Sequence, residues 1–221
     1  MATQHLDLEE QEQLDQLKHF WNRWGNLITS AVLAVLLAFA GWNGWQFWQQ
    51  RQGAQAAALY DQLFQAAQAG DVERTSRVLQ DMQSGYPGAE YTAQAALLAA
   101  KTLAEKEKTA EARAALTWAA EKAADAGLQA TARLRLAALL YADKAYDEAL
   151  QQLSGSLPAA FVPLAADRKG DILLAQGKKD SAIAEYGKAY QGLAQDRSDY
   201  RRIVSIKLTS LGIDPEKGNL K

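Results

Sequence analysis

Residues 170–189 read GDILLAQGKKDSAIAEYGKA, and the order of residue types in that stretch decides the fold. A turn, Gly177-Lys178-Lys179, leads five positions on to the small Ala182, four further to the large Tyr186, and then to Ala189. The same order recurs upstream. Lys144-Ala145-Tyr146 precedes Ala149 and Leu153, Glu107-Lys108-Thr109 precedes Ala112, Leu116 and Ala119, and Gly70-Asp71-Val72 precedes Thr75, Leu79 and Met82. The small residues stand at 75, 112, 149 and 182, so the steps are 37, 37 and 33. Before each turn lies another stretch of apolar residues at helical spacing, as in Ala132–Tyr141. A helix–turn–helix unit of about 34 residues has the tetratricopeptide period. The small residue allows the two helices of a unit to cross closely and the large one fills the gap. A single pair leaves an apolar face uncovered and stacks on the next. The units Thr131–Leu153 and Leu164–Ala189 follow the pattern best. In the first two, Thr75 stands where alanine is usual and Glu107 where the turn glycine is usual.

The surrounding composition agrees with an all-α chain. Between Ala54 and Ile213 alanine, leucine, glutamine, lysine and glutamate dominate, all good helix formers, while strand formers are sparse. The prolines, Pro87, Pro158, Pro163 and Pro215, fall where helices should start or stop. Tyr200–Leu211 is a further amphipathic helix with apolar residues at 203, 204, 208 and 211. It reads as the cap that closes an open solenoid end. Gly212 stops it, and 215–221 is expected to be a disordered tail. About four helix pairs and a capping helix thus occupy 51–214.

Outward from the repeats, Trp24–Gln50 contains no charged residue. Leu27–Trp48 would be roughly 33 Å long as a helix at ~1.5 Å per residue, against a hydrocarbon slab of roughly 30 Å. Phe20, Trp21 and Trp24 precede the apolar run and Trp42, Trp45, Phe47 and Trp48 follow it. Such rings favour the two bilayer interfaces. The segment 24–50 is therefore read as a transmembrane anchor. Ala38-Phe39-Ala40 resembles a signal-peptidase site, but the region before it is long and acidic and the apolar run continues beyond it. Lys18 and Arg23 before the span outnumber Arg51 after it, which leans toward a cytoplasmic N-terminus and a repeat domain on the far side. Ser30, Ala34, Ala38 and Gly41 share one side of the helix and form a candidate packing face for another transmembrane helix. In the tail, 1–23, Leu14, Leu17, Trp21 and Trp24 have heptad-like spacing. They suit a short amphipathic helix continuous with the anchor, or a frayed lead-in to it.

Chemistry is sparse. The chain has no cysteine, and its histidines, His5 and His19, both precede the anchor. Zinc sets and Ser-His or Cys-His pairs cannot be assembled in the repeat domain. Glycine-rich phosphate loops are absent from the sequence. No cofactor or catalytic residue is expected, and enzyme is the least favoured class. Net charge is −2, which offers no field for nucleic acid. Binding remains. Repeat solenoids present the first helix of each pair to a concave surface. Repeat position directs Tyr60, Asp61, Phe64, Lys101, Glu105, Arg135, Tyr141, Arg168 and Asp171 toward it as candidate partner-binding residues.

The arrangement also resembles a known family. Glu9, Glu10 and Glu12, then Phe20-Trp21-Asn-Arg-Trp24-Gly25-Asn26, one apolar span and Gly41-Trp42-Asn-Gly-Trp45-Gln-Phe47-Trp48 resemble the ancillary SecYEG translocon subunits. Tyr86-Pro87 and Ile206-Lys207-Leu208 add to the likeness. The resemblance implies a bacterial inner-membrane protein with its repeat domain in the periplasm. It further implies association with the SecYEG channel and with a membrane-anchored periplasmic chaperone of the PpiD type, serving unfolded or emerging polypeptides. A scaffold or assembly factor for another cell-envelope complex is the alternative reading.

Overall fold

A computed structural model describes residues 8–193 and 198–217. Among these residues the regular structure is helical throughout. The order is α1 (Leu8–Gln68), α2 (Val72–Gly85), α3 (Glu90–Glu105), α4 (Thr109–Lys122), α5 (Ala126–Ala142), α6 (Tyr146–Gln152), α7 (Val162–Ala175), α8 (Lys179–Gly192) and α9 (Ser198–Ser210), with 3-10 turns at Ala159–Phe161 and Pro215–Lys217. The chain divides into two compact units at Arg51 and Gln52.

In the first unit the apolar side chains of α1 stand bare. Phe39 is 67% exposed, and the aromatics from Trp42 to Trp48 are comparably open. By length and composition α1 is the one helix among the described residues able to cross a membrane. Its polar side chains suit that solvent. The Thr29 hydroxyl donates to the Gly25 carbonyl at 2.7 Å and the Asn43 amide donates to the Phe39 carbonyl at 2.8 Å, so each directs a polar hydrogen back to the helix backbone. Ser30, Ala34, Ala38 and Gly41 are all exposed. The helix begins well inside the expected tail and ends well beyond the expected anchor. No proline interrupts 8–68, so neither 23/24 nor 50/51 is a helix boundary. Residues 1–7 of that tail lie outside the described residues.

The second unit is built from four helix pairs: the residues of α1 from Gln52 on with α2, then α3 with α4, α5 with α6, and α7 with α8, closed by α9. The four small residues of the repeat, Thr75, Ala112, Ala149 and Ala182, are each 0% exposed. Leu79, Leu116, Leu153 and Tyr186, four positions on, are buried beside them. Thr75 is tolerated in alanine's place because its hydroxyl donates to the Asp71 carbonyl at 2.7 Å and leaves no orphan donor. One hydrophobic cluster spans the first three pairs and takes in Ala165 and Ile172 of α7. A second joins Ala166 with α8 and α9 through Ala182, Tyr186, Ala189, Val204 and Leu208. Outer helices are tied by Arg113 of α4 pairing with Glu148 of α6.

The turns share a backbone solution. Gly70, Glu107, Lys144 and Gly177 occupy the same repeat position, and all have positive φ, at 67, 60, 61 and 76°. Two side chains therefore sit in the left-handed region that glycine occupies freely. Pro215–Lys217, assigned above to a disordered tail, is instead a 3-10 turn with Pro215 buried; residues 218–221 lie outside the described residues.

A left-handed residue costs an L side chain roughly 1–2 kcal/mol, partly offset by the entropy glycine loses on folding. Glu107→Gly and Lys144→Gly should each stabilise the repeat unit by about 0.5–1 kcal/mol. Gly177→Ala should destabilise it by a similar amount. Urea unfolding of the detergent-solubilised chain followed at 222 nm checks both signs.

Candidate interaction surface

The first helices of neighbouring pairs lie side by side. Tyr60 of α1 and Tyr91 of α3 have ring centroids 5.7 Å apart. Arg135 of α5 donates from Nη1 to the Leu97 carbonyl of α3 at 3.2 Å. Between α3 and α5 is an open depression of about 460 Å³ with Ala104, Leu116, Ala138 and Leu139 in its lining. It is open because much of its lining is alanine, whose small side chains leave the space between the helices unfilled. Lys101 and Arg135, both exposed, supply its charge.

The sequence-predicted residues divide into three groups. Lys101 and Arg135 meet at this depression. Glu105 pairs with Lys101 at 3.8 Å, an exposed contact worth about 0–1 kcal/mol that leaves both side chains free to exchange partners. Tyr60 and Phe64 stack at 6.5 Å, with Asp61 exposed beside them. Tyr141 and Asp171 are engaged elsewhere. Tyr141 packs on Tyr146 of α6 at 5.9 Å, half-buried against the larger core. Arg168 lies 3.6 Å from Asp171. Asp171 also accepts from the Tyr186 hydroxyl at 2.8 Å and from Lys207 Nζ at 2.7 Å.

These last bonds belong to a polar network that the sequence reading missed. Asp167 of α7 is only 3% exposed. Its carboxylate accepts from the Tyr200 hydroxyl at 2.7 Å and from Lys207 Nζ at 2.8 and 3.0 Å. One lysine of α9 thus bridges two carboxylates of α7, and each carboxylate also accepts from one tyrosine hydroxyl. Gly170 leaves room for it: a Cβ there would sit 2.5 Å from the Tyr186 ring. Burial, and then the bond to Asp171, push the Tyr186 hydroxyl well above the ordinary tyrosine value. Burial, and then the bond to Asp167, do the same for Tyr200. The signal in the sequence was Asp167 and Asp171 at i and i+4 with Lys207 inside an apolar helix pattern, but no rule of spacing joins α7 to α9. Tyr91 was missed for a similar reason. It meets Tyr60 of α1, a contact between helices that the spacing within α3 does not show. Among the described residues no group of histidines and carboxylates could hold a metal ion.

Paired helices with buried small residues at a common position, a shared left-handed turn and a closing helix define a tetratricopeptide-like solenoid carried on a chain with one long apolar helix. The tetratricopeptide repeat-like domain family matches residues 18–213. The chain is 33% identical over 205 residues to the ancillary SecYEG translocon subunit of Neisseria gonorrhoeae, covering 92% of this chain and 98% of that one. It is 31% identical over 204 residues to the protein of the same name from Haemophilus influenzae, with the same coverage. The chain belongs to the family of ancillary SecYEG translocon subunits.

Removing one partner from a buried charge network costs about 3–5 kcal/mol, because the other is left uncompensated. Lys207→Met should destabilise the repeat unit by about that amount, read from the urea midpoint at unchanged m-value. The tyrosines give a pH test. Both hydroxyls are held neutral when folded, so their contribution is complete below the unfolded tyrosine value of about 10 and is lost as pH rises above it. Stability should then fall by up to about 1.4 kcal/mol per pH unit for each of the two. The Tyr186→Phe, Tyr200→Phe double variant should show a shallower decline between pH 10 and 11.5 in parallel urea titrations.

Proposed function

We propose that this protein is a non-catalytic, membrane-anchored accessory of the SecYEG channel. Its anchor would meet the channel, and its repeat unit would engage a periplasmic chaperone of the PpiD type or the polypeptide emerging from the channel. One observation carries the reading: a single chain combines a bare apolar helix with an exposed stripe of small residues and a repeat unit with an open depression on its first-helix side. The small stripe at Ser30, Ala34, Ala38 and Gly41 suits close approach of another transmembrane helix. The names of the relatives support the channel as that partner. Localisation in the bacterial inner membrane follows from the same proposal. Lys18 and Arg23 against Arg51 favour an N-terminus in the cytoplasm and the repeat unit in the periplasm.

A photo-crosslinking residue placed at Ala34 or Ala38 in native membranes should capture a subunit of the channel. If capture instead yields only components of other envelope complexes, the translocon reading fails and the scaffold alternative replaces it. Alkaline phosphatase fused after Lys221 should be active in the periplasm. Inactivity of that fusion, with a fluorescent cytoplasmic reporter at the same site, would overturn the orientation.

A further inference from the structure

The rings of Tyr60, Phe64 and Tyr91 form one connected cluster on α1 and α3, with centroid separations of 6.5 and 5.7 Å. Phe64 is 43% exposed and Tyr91 41%, although Phe64 has no polar atom to gain from water. Isolated exposed apolar residues are ordinary, but contiguous aromatic ones on the first-helix side of a solenoid are not. The charged residues next to them in the chain are both acidic. Asp61 follows Tyr60, Glu90 precedes Tyr91, and both carboxylates are exposed. Neither belongs to a salt bridge among the described residues. Gln94 donates to the Glu90 carboxylate at 2.9 Å, which orients that carboxylate without neutralising it. Aromatic faces attract cations through their quadrupole, and two unpaired carboxylates add to that attraction.

From this we propose that Tyr60, Phe64 and Tyr91 form a docking face for an extended peptide segment that carries lysine or arginine next to an aromatic or branched aliphatic side chain. The apolar side chain would cover the exposed rings. The cation would lie between a ring face and Asp61 or Glu90. An acidic segment would meet two like charges there. The depression between α3 and α5 has the opposite character, since Lys101 and Arg135 supply its charge. The inference rests on the reading of the repeat unit as a binding module and names the chemistry of one part of its surface.

Fluorescence anisotropy with the full chain in detergent micelles tests it. The probes are two labelled peptides of the same length. One alternates arginine with phenylalanine and leucine; in the other glutamate replaces arginine. The basic peptide should bind about tenfold or more tightly than the acidic one. Phe64→Ala with Tyr91→Ala should lose about tenfold of that affinity while the chain stays folded at the assay temperature, as its melting curve checks. Asp61→Lys with Glu90→Lys should reverse the preference while keeping the rings. Equal binding of the two peptides, or no effect of either double variant, would overturn the proposal. So would a dimer that the aromatic variant converts to monomer in sedimentation, since a second copy would then be the occupant. Peptide binding with no channel crosslink from Ala34 would sink only the translocon reading, and the converse would sink only this one.

Discussion

The close crossing of the two helices in each pair is the constraint on which the second unit depends. At each crossing stands a side chain no larger than threonine, at 75, 112, 149 and 182, and each is withdrawn completely from water. A larger group there would push the helices apart and open a gap around Leu79, Leu116, Leu153 or Tyr186. Packing at interior density tolerates such changes poorly, because neighbouring side chains already sit in their preferred rotamers. The turn five residues earlier sets the crossing, since a left-handed residue at Gly70, Glu107, Lys144 or Gly177 sends the chain back along its own helix. Turn and crossing are therefore a single device repeated four times. That two of the four turns keep a charged side chain at positive φ shows how strongly the packing determines the backbone.

Stacking such pairs leaves two problems, an open end and a first-helix side rich in small residues. α9 closes the end. It does so partly through Val204 and Leu208, and partly through a half-buried lysine held between two carboxylates. A buried ion pair adds less stability than the apolar side chains it displaces, but it tolerates few alternative placements. The bonds from Lys207 to both Asp167 and Asp171 tie α9 to α7 at two points one helical turn apart. The small side chains leave the first-helix side open between α3 and α5, and that opening is the basis for reading the unit as a binding surface.

The first unit obeys different rules because its solvent is different. An apolar helix with every aromatic exposed is unfavourable in water and ordinary in lipid. Two of its polar side chains, Thr29 and Asn43, donate to their own backbone, which lowers the demand they place on the surrounding medium. Where small residues share one side of such a helix, van der Waals contact with a second helix becomes the available source of affinity.

Much of this was legible before any coordinates. Periodicity and residue size alone determined that the chain is helical, where its pairs turn, which residues lie at the crossings and that one helix suits a bilayer. These depend on neighbours within one or two helical turns, and local chemistry decides them. The limits of the span are not marked on α1 itself, because the helix runs unbroken from tail through span to repeat with no proline or cap between them. What only the tertiary structure decided is who meets whom across pairs. Tyr141 and Asp171 share the repeat positions of true surface residues, yet Tyr146, Tyr186 and Lys207 draw them into packing. Tyr91 meets Tyr60, and through it Phe64, across a gap of 31 positions that no local pattern spans. Contacts between distant residues depend on how far each pair rotates against the next, and the whole stacked core sets that rotation.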